Sequence, residues 1–191
     1  MRKRDIIKES FISFRCIIGP FGSLFRRFPH YLPLLTLENH QDIDSPINLD
    51  LSLKKINKEI KSKSVKDIDN AVKLLLNSIN WRNHLVGCIV IIKINKENQQ
   101  SFIERLWDIC LNKNSWVLPQ ILATLSIIDS EFQRKVKSKE IKEAFLNNKM
   151  VVKEIELLLH SKNRKKYPDE EPYYGLSWKN NLIGLIKEGK L

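Results

Sequence analysis

Apolar residues recur at helical spacing through most of the chain, and the pattern becomes continuous near residue 64. One face of the first helix carries Ile68, Ala71, Val72, Leu75 and Ile79. Apolar side chains three and four positions apart are typical of an amphipathic helix. The next helix, residues 81–94, has almost no polar face, which predicts a central, buried helix.

The same periodicity continues towards the end of the chain. We expect a third helix over residues 97–111 and a fourth that Ser115 caps, with Pro119 in its first turn, where a missing N–H costs least. Later helices are predicted to begin near Asp129, Ser138 and Ser177, and another, marked by Val151 and Ile155, follows a turn at residues 147–148. Short turns favour antiparallel neighbours, and no strand alternation is present. The predicted fold class is therefore all-α.

The first third of the chain differs from the rest. Residues 1–30 are basic, whereas residues 31–53 contain acidic side chains and no Lys or Arg. Glycines and prolines interrupt both stretches. We therefore expect an irregular N-terminal segment with short helices over residues 1–63, followed by a helical-repeat domain over residues 64–191.

The charge of the protein is strongly basic. The 191 residues carry a formal net charge of +11, and the 24 lysines far outnumber the 9 arginines. Arginine is the residue favoured for bidentate phosphate recognition, so this excess of lysine indicates a distributed surface property. The alternative is a nucleic-acid stripe built from residues 54–63, 134–142 and 162–166.

Candidate chemistry is sparse. The histidines and cysteines lack metal-ligand spacing, and no nucleophile elbow, phosphate-binding loop or cofactor fingerprint is present. We therefore expect no metal and no cofactor, and an enzymatic function is the less favoured class. Cys88 and Cys110 lie on apolar helical faces, and Cys16 completes an odd count, which indicates buried thiols in a reducing compartment. The predicted localisation is cytoplasmic, without membrane insertion.

Two segments of the chain echo each other. WRNHLVGCI, from Trp81, matches WVLPQILATL, from Trp116, when one residue is inserted in the second. The alignment pairs Leu85 with Ile121 and Gly87 with Ala123. Each segment opens a helix after a turn. A period near 35 residues with two helices per unit is the signature of an α-solenoid.

On these residues, the stretch 64–160 resembles HEAT-like helical-repeat proteins. That resemblance implies a short α-solenoid of stacked antiparallel helix pairs. The run SWVLPQ from Ser115, with Asp129 and Phe132 downstream, is also similar to a signature of bacterial proteins of unassigned function. This second similarity implies no activity.

Six residues are candidates for contact with a partner, because tryptophan and arginine are enriched at binding hot spots and helix ends line the grooves of solenoids. They are Trp81, Arg82, His84, Trp107, Trp116 and Gln120. The alternative is that the tryptophans are core wedges. His84, in a first helical turn, is predicted to be a surface group.

The favoured function is a non-enzymatic protein–protein interaction module, either an adaptor or a toxin-neutralising, immunity-type protein; this rests on analogy between folds. The alternative is a basic, HEAT-like nucleic-acid-binding protein or a DNA glycosylase-like protein. A third hypothesis is a structural subunit of a larger assembly, which an exposed apolar patch would indicate.

Overall fold

The computed structural model describes residues 9, 12, 15–26, 29–38, 47–112, 115–160 and 174–191. The basic residues 1–8 and 162–166 lie outside these ranges. The described backbone is helical and contains no strand, which confirms the all-α prediction. Its α-helices are α1 (Leu49–Ser62), α2 (Val65–Asn77), α3 (Trp81–Lys93), α4 (Lys96–Gln100), α5 (Ile103–Asn112), α6 (Leu118–Ile128), α7 (Phe132–Val136), α8 (Lys139–Phe145), α9 (Lys149–His160) and α10 (Tyr174–Lys187).

Helix α1 lies in the segment predicted to be irregular. Asn48 caps it: its Oδ1 accepts a hydrogen bond from the Leu51 N–H at 2.8 Å. Leu49, Leu53 and Ile56 form a buried face at helical spacing. A polar cap followed by this spacing is a local signal for a helix, and at 14 residues α1 is longer than the short helices predicted for this segment.

Helices α2 and α3 confirm the predicted pair. The Ser64 Oγ accepts a hydrogen bond from the Asp67 N–H at 3.2 Å and donates one to the Asp67 carboxylate at 2.7 Å, which closes the predicted cap. Asn80 caps α3 through the Arg82 N–H at 3.1 Å. Residues 83–91 of α3 are buried without interruption, as expected for a central helix.

The helix predicted over residues 97–111 is two helices, α4 and α5. The Ser101 hydroxyl donates a hydrogen bond to the Asn98 carbonyl at 2.8 Å, and the Phe102 N–H donates to the Gln99 carbonyl at 3.0 Å. Serine side chains compete with the helical ladder in this way. The resulting turn directs Phe102 into the core, where it has no exposed surface.

Helix α6 occupies the centre of the fold. It packs against α3, α5, α9 and α10, and residues 120–125 are all buried. Its predicted cap is wrong: Val117 holds the N-cap position without a side-chain bond, and the Ser115 hydroxyl bonds elsewhere. Pro119 lies in the first turn, as predicted.

Helix α10 begins at Tyr174, three residues before the predicted start at Ser177. Glu154 of α9 supplies the acceptor, because its carboxylate receives the Gly175 N–H at 3.1 Å. A Cβ at Gly175 would lie 2.9 Å from the Pro119 carbonyl oxygen. Glycine therefore lets the start of α10 approach the start of α6 closely.

Residues 29–38, here named the N-terminal strap, contain the 3-10 turn Leu32–Leu35 and lie against α3, α6 and α10. Three consecutive strap carbonyls accept side-chain hydrogen bonds from distant helices, so the strap is fixed by long-range polar contacts. The bonds are Trp178 Nε1 to Leu34 O at 2.8 Å, Gln120 Nε2 to Leu35 O at 3.2 Å and Asn181 Nδ2 to Thr36 O at 2.8 Å.

None of the described helices has the length and apolar run needed to cross a membrane.

Candidate functional site

A buried histidine connects the starts of α3 and α6. The His84 Nδ1 lies 2.9 Å from the Ser115 Oγ, and its Nε2 lies 2.5 Å from the Ser78 carbonyl oxygen. A carbonyl only accepts, so Nε2 carries a proton in this geometry, while Nδ1 shares a hydrogen bond with the Ser115 hydroxyl. His84 has no exposed surface, so its prediction as a surface group is wrong.

We name the contacts of His84 with Ser78 and Ser115 the His84 bridge. Ser78 also connects this bridge to Glu9 in the N-terminal region. The Ser78 hydroxyl donates to a Glu9 carboxylate oxygen at 2.8 Å, and the Ile79 N–H donates to the same oxygen at 3.1 Å. A serine–histidine pair is the arrangement of an activated nucleophile. Here both side chains are buried and the pair joins two turns, so its geometry is that of a structural bridge.

Two exposed apolar residues flank the His84 bridge in the sequence. Ile79 follows Ser78, and Trp116 follows Ser115, so each is next in the chain to one of the two partners of the His84 ring. Trp116 is 85% exposed and Ile79 is 57% exposed, although Ser115 and Val117 beside Trp116 are buried. We name Ile79 and Trp116 the bridge surface.

Trp81 and Arg82 form a second cluster, with Tyr31 of the N-terminal strap. The Arg82 Nε donates to the Tyr31 hydroxyl at 2.9 Å, and the guanidinium lies 4.9 Å from the Trp81 ring centroid. Trp81 meets Tyr31 edge to face at 5.9 Å. Both predicted residues are thus partly buried, and their contacts hold the strap against α3.

Trp107 packs inside the protein, in a polar network between α5 and α7. Its Nε1 donates to a carboxylate oxygen of Asp129 at 2.8 Å, and Lys135 contacts the same oxygen at 3.2 Å. Burial acts to raise the pKa of Asp129, but the hydrogen bonds from Trp107, the Glu131 N–H and Lys135 outweigh it and lower that pKa. The carboxylate is therefore held ionised, which fixes the indole.

Gln120 is also buried, and its amide nitrogen donates a hydrogen bond to the N-terminal strap. By exposure, the six predicted residues fall into three groups. Trp116 is exposed, Trp81 and Arg82 are partly buried, and His84, Trp107 and Gln120 are enclosed. Sequence reasoning missed the role of Trp178, whose buried indole anchors the strap. A tryptophan on an apolar helical face was visible in the sequence, but its acceptor, 144 positions away, was not.

The side chains most often used for metal binding and thiol chemistry were located in the described part of the chain. It contains no group of three or more His, Cys, Asp or Glu side chains that could hold a metal ion. The three cysteines are free and buried. Burial raises the pKa of Cys16 to about 11 and that of Cys88 to about 12, so these thiols are protonated at neutral pH and unreactive.

Comparison with models of known families, with curated proteins and with solved structures finds no match to this chain.

Proposed function

We propose that the protein is a non-enzymatic interaction module that binds another protein through the bridge surface. The observation that carries the proposal is the exposure of Trp116 between two buried neighbours. A large apolar side chain that stays in water forgoes the free energy of burial. Tryptophan is among the residues enriched in the buried centres of protein interfaces. The His84 bridge beneath it holds both turns, so the surface is preorganised for binding.

We further propose that the two helix pairs form a short HEAT-like repeat. The pair α2–α3 contacts the pair α5–α6 in register, because α2 packs against α5 and α3 packs against α6. This arrangement supports the echo between the segments that begin at Trp81 and Trp116. The bridge surface then lies at the turns that open the second helix of each unit. An adaptor or toxin-neutralising role is a further prediction within this class.

Within residues 134–142 of the alternative nucleic-acid stripe, paired charges favour a protein partner over nucleic acid. In the basic stretch 134–142, Arg134 bonds the Glu131 carboxylate at 2.6 Å, and Lys139 lies 3.7 Å from a Glu143 oxygen. Lys135 is held between Glu104 and Asp129. Cations that already face carboxylates have less to gain from a phosphate backbone. Residues 162–166 of the alternative stripe lie outside the described ranges.

The test compares Trp116→Ala with Leu146→Ala, because Leu146 on the α8 side is also well exposed, at 72%. The tagged full chain is used to capture partners from its native cells at 300 mM salt. A protein identified by mass spectrometry is then purified and its affinity measured. We expect Trp116→Ala to weaken that affinity by about 30-fold or more, as for an interface hot spot, and Leu146→Ala to leave it unchanged.

Two results would contradict the proposal. One is a purified partner that binds Trp116→Ala as tightly as the original chain. The other is nanomolar binding of a short DNA duplex at 200 mM salt with a log–log salt slope of about −5, which corresponds to roughly six phosphate contacts.

A further inference from the structure

A cavity lies at the opposite end of α3 from the bridge surface. Its volume is about 200 Å³, and it opens where the end of α1 and the start of α2 meet the end of α3 and helix α4. The apolar part of its wall consists of Ile60, Val65, Ile68, Ile94 and Phe102. A volume of this size holds about seven water-sized groups, which suits a small organic molecule.

Positive charge surrounds this cavity. Lys63 and Lys93 line it, and Lys61 is close enough to act on Lys93 electrostatically. Burial, and then the charge of Lys61, lower the pKa of Lys93. The Lys93 ammonium donates to the Lys190 carbonyl at 3.1 Å, but none of the three lysines forms an ion pair with a described carboxylate.

One carboxylate, that of Asp69, also lines the cavity. Lys73 lies 2.7 Å from its Oδ2 and compensates its charge. The remaining wall amides belong to Asn95 and Asn98. An apolar interior with ammonium groups at its edge that lack a described counter-ion is complementary to a ligand with a short hydrocarbon tail and a single anionic head.

The geometry points to a binding site for a small amphipathic carboxylate in this cavity, with Ile68, Ile94 and Phe102 around the hydrocarbon tail and Lys63 and Lys93 at the head. This function is independent of the bridge surface, because the two sites lie at opposite ends of α3. The carboxylate satisfies cations that the described residues leave without a counter-ion, while the tail replaces water against apolar walls.

The test uses hexanoate as the probe and amide resonances of the ¹⁵N-labelled full chain as the readout. We expect saturable shifts at Ile68, Ile94 and Phe102, with a dissociation constant on the order of 1 mM for so few ligand atoms. Hexanol lacks the head and acetate lacks the tail. Each should therefore bind at least about tenfold more weakly than hexanoate.

Two lysine variants and a matched control locate the charge. Lys63→Met and Lys93→Met should each weaken hexanoate binding by about fivefold, because a partly desolvated ionic hydrogen bond is lost. Lys58→Met removes an exposed lysine of α1 that does not line the cavity, and it should leave the affinity unchanged. Trp116→Ala should also leave it unchanged, which separates this site from the proposed function.

The inference is overturned if hexanol binds as tightly as hexanoate, since the lysines would then play no part. Equal binding by Lys58→Met, Lys63→Met and Lys93→Met, all weaker than the original chain, would show a nonspecific charge effect. Tighter binding of a hexaglutamate peptide at the same amides would identify a polypeptide as the occupant. Absence of saturation up to about ten times the expected constant would exclude the site.

Discussion

The starts of α3 and α6 have similar sequences but different surroundings. Trp81 opens α3 beneath Tyr31 and Arg82, so the N-terminal strap covers it. Trp116 precedes α6, and none of the described residues encloses it. One imidazole ring, that of His84, nevertheless ties both starts together. A local sequence pattern therefore determines the helix and its cap region, while distant residues determine whether its tryptophan is buried.

The two tryptophans therefore differ in how much they contribute to the stability of the fold. The contacts of Trp81 lie within the chain and contribute to folding, whereas the surface of Trp116 remains available for a partner. Two similar helix starts thus place one tryptophan partly inside the fold and leave the other exposed. Variants at matched positions measure this division directly.

The largest effect is expected in the buried halves of the two helices, where the echo pairs Leu85 with Ile121. Both side chains have no exposed surface. Leu85→Ala and Ile121→Ala should each lower the free energy of unfolding by about 2–5 kcal/mol, because each removes buried methyl groups and leaves a cavity. Urea denaturation measures the change. Glu104→Ala, at an exposed ion pair, is the control, with about 0.5 kcal/mol or less. A small effect at only one of the two core positions would break the equivalence.

For the two tryptophans, we expect an intermediate loss of stability at Trp81 and almost none at Trp116. Trp81→Ala should lower the free energy of unfolding by about 1–3 kcal/mol, since the edge contact with Tyr31 and the cation–π contact with Arg82 are lost. Trp116→Ala should change it by less than about 0.5 kcal/mol, as for an exposed residue. The same urea titration serves both variants. Equal losses would show that Trp116 is packed in solution, and the bridge surface would then have to be abandoned.

The smallest expected effect depends on pH and concerns Glu154 at the start of α10. Burial raises the pKa of Glu154 above its ordinary 4.5, and hydrogen bonds from backbone N–H groups at the start of α10 only partly oppose it. The folded state therefore binds a proton more readily than the unfolded state. The stability due to this group is complete below pH 4.5 and is lost as the pH rises through the folded pKa.

Glu154→Gln carries no such titration. The free energy of unfolding of the original chain, minus that of Glu154→Gln, should therefore fall between pH 4.5 and neutral pH in urea titrations. The corresponding difference for Leu146→Ala, which removes no titrating group, should stay flat. A Glu154 difference that rises with pH would mean that the carboxylate is stabilised in its charged form, contrary to the burial argument.

The sequence predicted local features well. The Ser64 cap was recognisable because its donor and acceptor lie three positions apart, and α3 because apolar residues surround its whole axis. The early start of α10 was not predictable, since its acceptor belongs to Glu154 of another helix. The break at Ser101 was missed because a serine inside a periodic pattern is compatible with both a turn and a continuous helix.

The candidate site shows the same limit. The exposed Trp116 was among the predicted residues, but nothing in its neighbours distinguished it from Trp107, which is enclosed between Asp129 and Phe132. Whether a tryptophan is covered depends on helices that approach from elsewhere in the chain. The His84 bridge was missed for this reason, since its two partners lie 6 and 31 positions away.

The attachment of the N-terminal strap also has a consequence for synthesis. The Leu34 carbonyl receives its hydrogen bond from Trp178, 144 residues later in the chain. A ribosome adds about 5–20 residues per second, so the strap waits roughly 7–30 s before its anchor has been made. During that interval the strap relies on its contacts with Trp81 and Arg82 of α3 and, once residue 120 has been made, on the bond from Gln120.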